Sequence, residues 1–157
     1  MGMGNGTPID SEAILQSVEQ MHKQLDKGFV KVRYKYEKGG QFGQWQGNDV
    51  RVARVTVAPG IHQKGAYFDI QWWQNGDYKY HYREAGLQFR FGREEANQST
   101  HKPVRHFHPP NDISAHNRSC IESGHPPQRV TIAVLKTWWT AVEKKDETVI
   151  NTQNGLP

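Results

Sequence analysis

The chain of 157 residues has one cysteine, Cys120, which excludes an internal disulfide framework and fits a reducing compartment. No apolar run approaches the roughly 20 residues that a membrane-spanning helix needs. The opening, MGMGNGTPIDSE, has neither a basic n-region nor an apolar h-region, so the signal-peptide pattern is missing as well. Together these absences lead to the expectation of a cytoplasmic protein with no membrane association. Also missing are a Gly-rich phosphate loop, a GxSxG elbow, an HExxH helix and a paired-carboxylate motif, which removes the usual signatures of nucleotide hydrolysis, serine hydrolysis and zinc proteolysis. Hydrophobic residues make up only 35% of the chain, while aromatic residues reach 11%; each aromatic ring buries a large area and so offsets the shortage. The length fits one domain, residues 1–157, with residues 1–6 and 147–157 expected to be flexible. A formal charge of +4 and a pI near 9.2 favour an anionic partner.

Two helices and a run of strands can be read from periodicity. Thr7-Pro8-Ile9-Asp10 has the form of a helix start, with Thr7 as cap and Pro8 at the first helical position. Ile14, Leu15, Val18, Met21 and Leu25 then recur at helical spacing up to the stop at Gly28, which predicts a helix over residues 8–27. From Phe29 the period becomes two, and Gly39-Gly40 marks a turn. Residues 50–58 form a β-branched run stopped by Pro59-Gly60. Residues 66–73 connect through Asn75-Gly76-Asp77, a strong hairpin signal, to residues 78–83, and past Glu84-Ala85-Gly86 to residues 87–92. After Pro126-Pro127 a second helix is predicted, with Val130, Val134, Trp138 and Val142 in a row spaced by four. Within Trp72-Trp73 and Trp138-Trp139, one member is expected in the core and the other at its rim. The predicted class is α+β: a single twisted antiparallel sheet of about five strands with an N-terminal and a C-terminal helix packed against it.

The chemistry concentrates after Tyr78. In YKYHYREAGLQFRFGR, side-chain alternation puts Tyr78, Tyr80, Tyr82, Phe89 and Phe91 on one face and Lys79, His81, Arg83, Gln88 and Arg90 on the other. Like charges paired across strands cost stability, and an anion held among Arg83, Arg90 and Arg93 accounts for keeping them, since arginine offers planar, bidentate donors. The candidate nucleic-acid contacts are Lys79, Arg83, Arg90, Arg93 and Arg105, whereas Lys31, Arg33 and Lys35 read as an ordinary solvated face. His101, His106, His108, His116 and His125 follow, five of the eight histidines in the chain. Imidazole is the side chain suited to moving protons or binding metal near neutral pH.

Three readings stay open. In the first, His81, His106 and His108 are the acid and base groups of a metal-independent ribonuclease, with arginine or lysine stabilising the charged phosphorane. Residues 104–108 alternate like a short strand that Pro109-Pro110 ends, which turns Phe107 to the core and both imidazoles to the basic hairpin. Surrounding cations are expected to depress the His81 pKa. In the second reading, His108, His116, Cys120 and His125 hold a zinc ion, although their spacing is irregular and Arg105 lies close by in the sequence. In the third, the chain is a non-catalytic nucleic-acid-binding or partner-docking module whose long, polar segment, residues 94–123, serves recognition.

The motifs Tyr80-His81-Tyr82 and Phe89-Arg90-Phe91, followed by His106 and His108 within HKPVRHFHPP, resemble the TumE-like toxins of prokaryotic toxin–antitoxin pairs. The resemblance covers residues 29–110 and leaves the N-terminal helix and residues 111–143 as apparent additions. It implies a small α+β toxin that acts on nucleic acid and is held inactive by a cognate antitoxin protein; the acid–base reading of the histidines makes RNA the expected nucleic acid.

Overall fold

The computed structural model describes residues 3–36, 42–43, 49–99, 101–121 and 124–153. The first helix, α1, spans Ser11–Gln24 and starts later than Pro8. Ile9 bridges to Trp73, the Asp10 N–H donates to the Trp72 carbonyl, and the Gln74 N–H donates to the Pro8 carbonyl. Residues 8–10 are therefore held extended against the sheet, and the cap falls to Asp10, whose carboxylate accepts from the Ala13 N–H at 3.1 Å.

Seven strands follow: β1 (Phe29–Tyr36), β2 (Val50–Val57), β3 (Ala66–Trp72), β4 (Tyr78–Glu84), β5 (Leu87–Arg93), β6 (Arg105–His108) and β7 (Asn117–Arg118). Each pairs antiparallel with the next, in chain order. The sheet thus exceeds the expected five because the short strand read at residues 104–108 joins it as β6 and the two-residue β7 pairs onto that edge. The turns before β4 and β5 each place a glycine in the left-handed region, Gly76 at φ 91° and Gly86 at φ 80°. The expected turn at Gly39-Gly40 lies outside the described residues.

Helix α2 (Pro127–Lys144) packs with α1 against the aromatic face of the sheet. The core there includes Phe68, Tyr80, Tyr82, Phe89, Phe91 and Phe107, each with 1% exposure or less. Trp138 is fully buried and Trp139 is 39% exposed, the division between core and rim expected of the pair. The Tyr80 hydroxyl joins three elements: it lies 2.9 Å from Ser17 Oγ, 2.7 Å from Thr131 Oγ1, and accepts from Trp72 Nε1 at 3.0 Å. This network holds both helices over β4; on the opposite face Lys79, His81 and Arg90 are half-buried and Arg83 is exposed, while His106 and His108 at its β6 end are buried.

The chain ends expected to be flexible contain short 3-10 turns, Met3–Gly6 and Glu147–Thr152. The Gly4 N–H donates to buried Asp77, and Ile150 is fully buried; residues 1–2 and 154–157 lie outside the described part. Among the described residues no helix is long and apolar enough to cross a membrane.

Candidate active site

Cross-strand register builds one continuous row over the open face of the sheet. Arg33 pairs with Arg54, Arg54 with Asp69, Asp69 with His81, His81 with Arg90, and Arg90 with His108. Six strands of alternating side chains in consistent register are enough to align these residues. Arg54 takes up the Asp69 charge through a bidentate contact, Nε to Oδ1 at 2.8 Å and Nη2 to Oδ2 at 2.9 Å. Among the described residues none of Lys79, Arg83 and Arg90 has an acidic partner within salt-bridge distance. The result is a group of unneutralised cations around His81.

His81 Nε2 lies 2.9 Å from the Gln88 Oε1 and 3.3 Å from Arg83 Nε. These two neighbours favour opposite protonation states: an Nε2–H donates to Gln88, and a bare Nε2 accepts from Arg83. Burial, followed by the charges of Arg83, Arg90 and Lys79, lowers the His81 pKa to about 4, while Gln88 opposes the shift. The direction matches the sequence expectation; burial, rather than the cations, is the larger cause.

The other two candidates lie on β6. The His108 Nδ1–H donates to the Ile113 carbonyl at 2.8 Å, which leaves Nε2 bare and 3.5 Å from Arg90 Nη2. His106 Nδ1 lies 3.2 Å from both the Pro103 and Val104 carbonyls, and its Nε2 hangs over Gly92, where a Cβ would approach to 2.7 Å. Gly92 therefore makes the space that the His106 ring fills. Both imidazoles are buried, at 4% and 2% exposure. Burial, then Arg90, His106 and His116, lowers the His108 pKa to about 3; burial also lowers that of His106.

His116, just before β7, completes a cluster, with its ring centroid 4.5 Å from that of His108 and 5.5 Å from that of His106. It is half-buried, the most open of the three. Sequence reasoning had assigned it to a zinc set; its place beside β6 depends on the two-residue strand that follows, which no periodicity announces. Among the described residues no group of three or more His, Cys, Asp or Glu side chains is arranged to hold a metal ion. The set of His108, His116, Cys120 and His125 is thus not assembled as a ligand cage.

Lys79, Arg83 and Arg90 share the open face, but Arg93 and Arg105 do not join them. Arg93 follows the parity of Phe91, and Arg105 that of Phe107, so both point to the helix-covered side at its edge. Arg93 donates to the fully buried Asp77 at 2.7 Å and to the Asn75 carbonyl at 3.2 Å. Its contacts are those of a structural ion pair. Beyond the row, a groove of about 610 Å³ opens between the β4–β5 hairpin tip and the segment after β6, lined by Arg83, Leu87, Gln88, Asn111, Asp112 and Ile113 among others.

Residues 44–145 match the model of one protein family, described as Toxin TumE. No curated protein and no solved structure matches the chain. The matched span takes in residues 111–143, which the hairpin resemblance leaves as an addition, and so includes His116 and all of α2. Helix α1 and strand β1 lie outside it.

Proposed function

The chain belongs to the TumE toxin family, and from that premise we propose that it is a metal-independent ribonuclease acting from the open face of its sheet. The observation that carries this reading is the His81–Arg90–His108 row, a cation between two imidazoles. A phosphate on Arg90, Arg83 and Lys79 would relieve their mutual repulsion and bring the scissile bond to His81. Neutral His81 takes the proton from the 2′-hydroxyl, whose oxygen attacks phosphorus to give a 2′,3′-cyclic phosphate, and the 5′-oxygen leaves with a proton. That second proton comes from the cluster of His106, His108 and His116. His108 is tied to the row through Arg90, and His116 presents the open edge. Burial first and Arg90 second lower the pKa of His108, and Arg90 also lowers that of His106; phosphate binding neutralises the Arg90 charge, which favours protonation of one of these two rings when substrate is present. As a family toxin, the chain has a cognate antitoxin protein as its partner.

Single-stranded RNA should be cut in the presence of a chelator, leaving cyclic phosphate ends, and a 2′-deoxy substrate should resist. His81→Ala should lower the rate by about 10²–10⁴-fold. Activity lost in chelator and restored by zinc would overturn the acid–base reading. The burial of His106 and His108 favours one competitor, a basic face that binds RNA without cutting it. Its signature is salt-sensitive binding by a wild-type protein that never cleaves.

A further inference from the structure

The groove at the hairpin tip is tied to the proposed proton-transfer groups on both sides. One wall is the Arg83–Gln88 cross-strand pair, and both of these residues contact His81 Nε2. The facing wall is residues 110–113, where the Ile113 carbonyl fixes the His108 ring. A phosphate seated on Arg83 and Arg90 would therefore deliver an attached nucleoside into this space. Its volume of about 610 Å³ lies within the range of small-ligand pockets. Leu87 and Ile113 supply apolar surface for the face of a base. The polar side chains beside them on the facing wall are Asn111 and Asp112.

Asp112 is the charged side chain of the facing wall. Its Oδ1 accepts from the Ser114 N–H and hydroxyl, the Ala115 N–H also lies near the carboxylate, and the side chain is exposed at the groove wall. The Ser114 hydroxyl, followed by its N–H, lowers the Asp112 pKa and keeps the group ionised. An ionised carboxylate only accepts hydrogen bonds. It pairs with an exocyclic amine and opposes a carbonyl oxygen at the same position.

We propose that this groove is a nucleobase subsite in which Asp112 selects a base bearing an exocyclic amine, cytosine over uracil. The inference rests on the RNA reading of the adjacent row and adds a specificity to it.

Two measurements on the full chain keep the two ideas apart. One maps cleavage of a uridine-rich RNA carrying a single cytidine. The other measures binding of 2′-O-methyl versions of that RNA and of its all-uridine counterpart, which cannot be cut by attack of the 2′-hydroxyl. Cuts should gather beside the cytidine, and the cytidine strand should bind more tightly, each by about tenfold. Asp112→Asn, which can still accept from Ser114 but now also donates, should bring both ratios close to one. Ser114→Ala leaves the carboxylate charge in place and should keep the preference, so it tests the idea if the asparagine variant fails to fold. Equal cleavage and binding of the two strands by the wild type overturns the subsite even if RNA is cut. Loss of the preference in Ser114→Ala that still folds, or its persistence in Asp112→Asn, overturns it as well. A wild type that binds with the preference but never cuts overturns the ribonuclease reading and leaves the subsite standing.

Discussion

Lowering the pH from 7 to 5 should destabilise this fold, because the unfolded chain gains protons that the folded chain refuses. His81 and His108 titrate near 6.5 when unfolded, but the folded environment holds them down to about 4 and about 3. Between pH 6.5 and those values the unfolded state binds more protons, so stability falls as pH falls. Each group contributes a slope of up to about 1.4 kcal/mol per pH unit, or about 2 kcal/mol between pH 7 and 5. His108 is 2% exposed and takes that figure whole; His81 is half-buried, and solvent screening removes roughly half of its share. The sum is about 3 kcal/mol, and for a chain of this size that is about 6–12 °C in Tm. His106 shifts in the same direction and adds to the loss. His62, paired with Glu147 at the surface, is raised and opposes it. The depressed carboxylates Asp112, Asp146 and Glu147 lose their contribution only below this window. Thermal melts followed by circular dichroism at constant ionic strength from pH 7 to 5 measure the effect, with His81→Asn and His108→Asn each expected to flatten the slope. A Tm that stays level or rises toward pH 5, or variants that keep the wild-type slope, would refute the linkage.

Gly92→Ala places a methyl group 2.7 Å from His106 Nε2, so it should push the ring out of its seat and lower RNA cleavage about tenfold or more, while circular dichroism still reports a folded sheet. Arg93→Ala leaves Asp77 as an uncompensated buried charge and should cost about 3–5 kcal/mol in urea unfolding. Arg83→Ala should cost little stability but lower the salt dependence of RNA binding by about one counterion; equal effects of the two arginine variants on that slope would contradict their assignment to different faces. Phe107→Ala, which empties a position 1% exposed, should destabilise by about 3–5 kcal/mol.

The strands of the hairpin region were legible because alternation, β-branching and turn glycines all agree there, as at Asn75-Gly76 and Gly86. Phe107 between His106 and His108 gave the short β6 for the same reason: one apolar side chain between two polar ones fixes which way each faces. Strand β7 was illegible, since Asn117 and Arg118 are both exposed and become a strand only because β6 offers an edge. The start of α1 misled because Thr7-Pro8 is a good local cap, whereas backbone bonds to β3, distant in sequence, keep residues 8–10 extended. Charge alone could not separate Arg83 from Arg93. Strand parity does separate them, and the Asp77 partner then accounts for the one that faces the covered side. The three-histidine cluster was half legible: the density of imidazoles was plain, but which of them meet depends on the course of the β6–β7 connection.

The row of residues across the open face also sets an order in time. Its members come from strands laid down one after another, each pairing with the strand just made, so synthesis adds them from one edge of the sheet to the other. His108 on β6 is the last of the row to leave the ribosome, and α2, which covers the aromatic face, comes later still. A nascent chain therefore carries its cations and His81 early and the three-histidine cluster late. On the proposed chemistry this ordering is protective: a truncated product that ends before β6 has Lys79, His81, Arg83 and Arg90 and none of the histidine cluster. It also marks the β5 edge as the place where an unfinished sheet is open to another strand, either its own β6 or one supplied by a different chain.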